Sequence, residues 1–180
     1  MSFDQAFRHT LGVEGGYSNN PNDAGGETMW GITVKVAREN GYNGSMRLMP
    51  VSVAQAIYRA KYWDLLHLDG VDAISQKIAA ELFDTGVNCG VSVPVPFLQR
   101  ALNAFNRQGK DYPDMAVDGL CGPTTINALR TFLQKRGAQG EVVMLRALNA
   151  QQGVRYFEIG ERRPQNEDFQ FGWWKERVAS

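Results

Sequence analysis

Cysteine is nearly missing from this chain: two residues in 180, Cys89 and Cys121. Two cysteines cannot build a multi-bridge scaffold, and neither sits in a CxxC or Cys/His cluster that would grip zinc. They read as two buried thiols, with a single bridge as the alternative. Histidine is as sparse, and His9 and His67 are far apart. No metal or organic cofactor is therefore expected. Charge of one sign is missing too: 19 Lys and Arg balance 19 Asp and Glu. That excludes a general nucleic-acid or anionic-surface binder, so any polyanionic partner must be held by local contacts. Long apolar runs are missing as well. No window approaches the roughly 18 apolar residues of a membrane span. The opening residues MSFDQAFRHTLGVEGG lack the apolar core of a secretory signal. The expectation is a protein made in the cytoplasm without such a signal, which something else must release if its substrate lies outside.

What is present is globular. Apolar residues make up 43% and charged residues 21%, and the length allows one cored domain or two small ones. Ser2 with Gln5 reads as a capping box for a helix carrying Phe3, Phe7 and Leu11, stopped by Gly15-Gly16. Thr33 reads as the cap of a helix ending at Asn40-Gly41. Ser52 with Gln55 reads as a second capping box, for a helix to about Tyr62. Further helices are expected over about 74–89, from Pro94 through Phe105, from Pro123 through Leu133, and from Glu141 to about Arg162 before Pro164. Residues 108–122 read as a loop, and Trp173-Trp174 as a C-terminal pin. The predicted fold is mainly α, with a small β-hairpin lobe near residues 17–32. Two regions are expected, 1–92 and 93–180.

The chemistry concentrates in EGGYSNNPNDAGGETMWGIT, residues 14–33. At about 100° per residue, Glu14 falls about 20° from Phe3 on the helical wheel, at the end of the apolar stripe. A carboxyl partly removed from water has a raised pKa and suits proton donation near neutrality. The alternative is a solvent-facing helix end. Asp23 supplies a second carboxylate, the partner that glycoside hydrolysis needs across the sugar, although Asp before glycines is also ordinary turn chemistry. Glu27 competes for that role but is expected to be exposed. Thr28 could hold a water beside Asp23, or be a plain strand threonine. Tyr17 and Trp30 lie in a polar loop with little core to join, which suits them to stack on sugar rings; Thr33 closes the same loop. Tyr62 and Trp63 read as core. Glu81, Asp84 and Asn88 form a polar stripe, either a solvated face or a cleft wall in which Asp84 and Asn88 bond acetamido or hydroxyl groups.

Glu14-Gly15-Gly16-Tyr17, then Pro21-x-Asp23-x-Gly25-Gly26-x-Thr28, then Gly31-Ile32-Thr33, closely resembles the signature of glycoside hydrolase family 108. These are lysozyme-like N-acetylmuramidases common in phage and prophage lysis cassettes. The resemblance continues in Phe83-Asp84-x-x-Val87-Asn88-x-Gly90 and in Leu98-Gln99-x-Ala101-Leu102-Asn103. Val117-Asp118-Gly119-x-x-Gly122-Pro123-x-Thr125 resembles the predicted peptidoglycan-binding region that follows in that family. The resemblance implies a lysozyme-like fold, with Glu14 as catalytic acid. The spacing Glu14-x8-Asp23-x4-Thr28 is similar to the Glu, Asp and Thr set of phage-type lysozymes, with the Asp-to-Thr interval one residue shorter. Asn20-Pro21 departs from the Asp-Pro common in the family. The resemblance further implies an endolysin-type activity on the β-1,4 bond between N-acetylmuramic acid and N-acetylglucosamine. The substrate would be peptidoglycan glycan strands, reached with the help of a holin or secretion system by a monomeric protein. A lytic transglycosylase, a chitinase-like enzyme and a non-enzymatic wall-binding or secretion-accessory protein are the rival readings.

Overall fold

The computed structural model of the chain describes residues 3–12, 16–19 and 26–178. It divides into two compact units, Met1–Leu65 and Leu66–Ser180.

In the first unit, α1 (Phe3–Leu11) buries Phe3, Ala6, Phe7 and Thr10, the stripe its spacing dictates. It ends earlier than predicted. Gly12 takes φ 64°, a left-handed stop that glycine adopts without a Cβ penalty. Ser2, Glu14, Gly15 and Asp23 lie outside the described residues. Phe7 meets Tyr58 edge-on at 5.4 Å and Phe3 meets Trp63 at 5.5 Å. Those partners lie on α3 (Val51–Tyr58) and its π-helical continuation Arg59–Asp64. Trp63 is buried in the core as expected, and Tyr62 stacks on Tyr58. The Ser52–Gln55 box does not open α3. Pro50 occupies the N-cap position at φ −62°, and its fixed φ starts the helix before Ser52 is reached.

β1 (Thr28–Met29) pairs antiparallel with β2 (Ile32–Thr33), Thr28 opposite Thr33. Ser18 extends the pairing by exchanging two 2.8 Å backbone bonds with Thr28. α2 (Val34–Glu39) follows at once, because the Thr33 hydroxyl accepts the Val36 N–H and so caps the helix; Asn40 closes it.

The second unit holds α4 (Leu68–Asp72), α5 (Gln76–Cys89), α6 (Pro94–Phe105), α7 (Pro123–Arg162) and α8 (Glu167–Arg177). Ser75 caps α5 by accepting the Ile78 N–H, and Gly90 at φ 97° ends it. Ile78, Leu82, Phe83, Leu98, Leu102, Leu129, Met144 and Leu148 form the core. The gap expected between Leu133 and Glu141 shrinks to one residue: α7 breaks only at Gly137, φ 58° and ψ −150°. The loop after α6 is held by side chains. Gln99 donates to Asp118, the Leu120 carbonyl and Thr125, and accepts the Gly119 N–H. Asp111 is bonded by Arg107 and Lys135, whose hydrogen bonds hold its carboxyl well below the usual carboxylate range. The C-terminal segment, read only as a pin, is a full helix. Trp173 stacks on Tyr156 at 5.0 Å and Trp174 sits 4.9 Å from Phe157. Both cysteines are free, and burial pushes each thiol up to about 11, so both are protonated at neutral pH.

Candidate functional site

The two-residue turn of the hairpin is Trp30-Gly31, with φ 54° and 72°. Positive φ at both positions is the turn geometry that matches strand twist. Glycine accepts it freely; tryptophan does so only under constraint. Here the constraint is visible. The Trp30 indole N–H donates to the Met49 carbonyl at 2.9 Å, and the Tyr58 hydroxyl donates to the Trp30 carbonyl at 3.3 Å. Position 31 admits only glycine on a second count: a Cβ there would stand 2.6 Å from the Tyr58 hydroxyl. The result is a half-exposed indole held in a strained backbone conformation, the kind of outlier that clusters at ligand clamps.

Tyr17 lies on the neighbouring segment. Its hydroxyl donates to Glu27 Oε1 at 2.5 Å, and the Arg47 guanidinium lies 4.0 Å over its ring. The bond to Glu27, followed by partial burial, raises the Tyr17 pKa. Glu27 is thus engaged rather than free beside the hairpin. The Thr28 hydroxyl donates to the Gly26 carbonyl at 3.3 Å, and the Thr33 hydroxyl is occupied by the α2 cap. The first unit therefore carries Thr28, Trp30 and Thr33 on one hairpin, with Tyr17 on the segment bridged to it at Ser18. Glu14 and Asp23 are beyond the described residues.

Asp84 and Asn88 belong to the second unit, on α5. Asp84 is buried, accepting from Arg177 of α8 and from Gln152 of α7. The Asn88 amide donates to the Asp84 backbone carbonyl at 2.8 Å. The polar stripe is thus neither a solvated face nor free hydrogen-bonding surface at Asp84; it ties three helices together. Glu81 stands beside it. Burial, then the proximity of Asp84, pushes its carboxyl up to about 8, with the Thr85 hydroxyl and Arg177 pulling the other way. The sequence reading missed Glu27, Arg47 and Met49 as supports of the hairpin, and Gln152 and Arg177 as partners of Asp84. Gln152 carried a signal: it falls in an i+4 row with Met144, Leu148 and Tyr156, a polar residue on an apolar stripe. Arg177 carried none.

Among the described residues no cluster of His, Cys, Asp and Glu could hold a metal ion, and no helix is long and apolar enough to cross a membrane.

Residues 7–90 match the family described as glycosyl hydrolase 108, and residues 93–178 match the predicted peptidoglycan domain. The chain is similar to a structure of Brucella abortus SagA, at 24% identity and a TM-score of 0.63, over 98% of this chain and 89% of that one. At that identity the likeness speaks for the fold alone: mainly α and lysozyme-like, with the small two-stranded sheet. No curated protein matches the chain. α5 lies within the glycosyl hydrolase match and also within the second compact unit. The two matches make the chain a peptidoglycan-related glycoside hydrolase. Residues 7–90 belong to the glycosyl hydrolase 108 family and residues 93–178 to the predicted peptidoglycan domain family.

Proposed function

We propose that the protein is an endolysin-type N-acetylmuramidase, hydrolysing the β-1,4 bond between N-acetylmuramic acid and N-acetylglucosamine. Glu14 protonates the glycosidic oxygen. Asp23 either stabilises the developing positive charge or, with Thr28, orients a water; we favour the water and an inverting outcome. Trp30 and Tyr17 line the sugar path, with Thr33 beside them. The observation that carries the reading is the glycosyl hydrolase 108 match over residues 7–90, the segment that contains Glu14, Asp23 and Thr28. The strained, displayed Trp30 supports a sugar platform at the hairpin. Region 1–92 is assigned the chemistry and region 93–180 the hold on the wall. The protein is made in the cytoplasm, delivered to the wall by a holin or dedicated secretion system, and acts there as a monomer.

The test is mass spectrometry of fragments released from purified peptidoglycan by wild type and by Glu14→Gln. Reducing muramic acid ends from wild type, with release by the folded variant reduced by orders of magnitude, are expected. Anhydro-muramic ends would make the enzyme a transglycosylase. Near-normal release by a folded Glu14→Gln protein would remove Glu14 from the mechanism. Wall binding with no cleavage by wild type would leave a non-enzymatic binder.

A further inference from the structure

A cleft of about 540 Å³ opens between α6 and α7 in the second unit. It is lined by the apolar Val93, Pro96, Phe97 and Val154 and by the polar Ser92, Arg100, Gln151, Arg155 and Glu158. That volume, and an apolar lining with a few convergent polar groups, is the composition of a small-ligand site. Two features narrow the ligand.

The first is hydrogen-bonding capacity. The Gln151 side-chain nitrogen donates to the Phe97 and Ala147 carbonyls at 3.0 and 3.1 Å. Two carbonyl acceptors fix which end of the amide is nitrogen, so its oxygen is an acceptor. That oxygen and Arg155 Nε are both buried without a hydrogen-bond partner among the described residues. One turn apart on α7, they offer an acceptor and a donor. Both side chains line the cleft, so both unsatisfied groups belong to its wall. A peptide amide, with one N–H and one C=O, complements that pair.

The second feature is charge. Arg155 is tied at its other end to Glu158 at 2.8 Å. Arg100 lines the cleft, is exposed and forms no ion pair among the described residues. The two guanidiniums against one carboxylate leave the cleft net positive, and guanidinium forks pair naturally with carboxylates. The glycan backbone of peptidoglycan is mostly neutral, whereas its stem peptides are chains of amides bearing free carboxylates.

We infer that the α6/α7 cleft binds the stem peptide of peptidoglycan, its backbone amide on Gln151 and Arg155 and a carboxylate on Arg100. The inference rests on the peptidoglycan reading above and gives the second unit a defined ligand. A bound peptide would hold the enzyme on uncut wall independently of the sugar path at the hairpin.

The experiment titrates the full-length protein with two soluble probes: the free stem tripeptide L-Ala-γ-D-Glu-diaminopimelate, and an N-acetylglucosamine tetramer that carries acetamido groups but no peptide. Binding is followed by calorimetry and by amide NMR shifts. The tripeptide is expected to bind and to shift Gln151 and Arg155 resonances. Affinity should fall at least tenfold in Arg100→Gln/Arg155→Gln and in Ala150→Trp, which fills the cleft from an exposed position without touching the core. Tetramer binding at these resonances without tripeptide binding would overturn the peptide assignment. So would tripeptide affinity unchanged in the folded Ala150→Trp protein. Release of fragments from peptidoglycan is measured on the same preparations. Fragments without tripeptide binding would overturn this inference and leave the hydrolase standing, whereas tripeptide binding without fragments would do the reverse.

Discussion

Replacing Glu81 by glutamine should change how the stability of the protein depends on pH. Glu81 sits beside Asp84 on α5, with one carboxyl oxygen buried and without a hydrogen-bond partner. Burial first, and the neighbouring carboxylate second, raise its pKa from 4.5 to about 8. Below 4.5 the group is protonated folded or unfolded, and contributes no pH dependence. Between 4.5 and about 8 the unfolded chain releases the proton while the folded chain keeps it. The folded state then binds more protons, so stability falls as pH rises through that window and levels off above it. At roughly 1.4 kcal/mol per pKa unit, the gap sets a ceiling of roughly 5 kcal/mol. Water penetration and relaxation of the buried site reduce this to about 2–3 kcal/mol. Glutamine has nearly the same shape and no proton to lose, so the variant should be flatter by that amount. The assay is urea unfolding at several pH values from 5 to 8.5, followed by fluorescence of Trp173 and Trp174 in the same unit. Parallel losses of stability in wild type and Glu81→Gln would mean that Glu81 is ionised in the fold, and the reasoning from its burial would be wrong.

Three further substitutions test separate joints. Gly31→Ala should cost about 1–3 kcal/mol in thermal unfolding, because it combines a positive φ with a Cβ 2.6 Å from the Tyr58 hydroxyl; a neutral result would remove the strain argument for the hairpin. Gln99→Ala should cost about 2–3 kcal/mol, since it strips partners from Asp118, the Leu120 carbonyl, Thr125 and the Gly119 N–H together. Faster amide exchange over residues 115–122 would report it. Gly153→Ala places a Cβ 2.7 Å from the Trp174 ring and should displace α8 at about 1–3 kcal/mol, visible as a red shift in tryptophan emission.

The helices were legible where one local signal acted alone. Thr33 capping α2, and Pro94 and Pro123 at helix starts, follow from rules spanning a few residues. Where two local signals competed, pattern could not rank them. Gly12 stopped α1 before Gly15-Gly16 was reached, and Pro50 opened α3 before the Ser52–Gln55 box. At the candidate site, the loop composition announced a hairpin, but its turn was invisible. Trp30 has no intrinsic preference for positive φ and is held there by Met49 and Tyr58. Asp84 is the clearest case. Its spacing with Asn88 suggested an open polar face, while its partners lie 68 and 93 residues along the chain. Such long-range pairing is a property of tertiary packing, on which a helical wheel is silent.

The break at Gly137 has a consequence for how α7 tolerates changes in length. In an unbroken helix, Phe132 and Met144 would point about 120° apart, since twelve steps of about 100° do not close on a whole turn. Both are buried, and the left-handed residue between them lets each half choose its own rotational phase. Inserting one residue into an ordinary helix spins everything beyond it by about 100° and carries the apolar stripe out to solvent. At Gly137 the two halves are already out of step, so the joint works as a swivel. A residue gained or lost there could be absorbed without turning Met144, Leu148, Gln152 and Tyr156 away from the core.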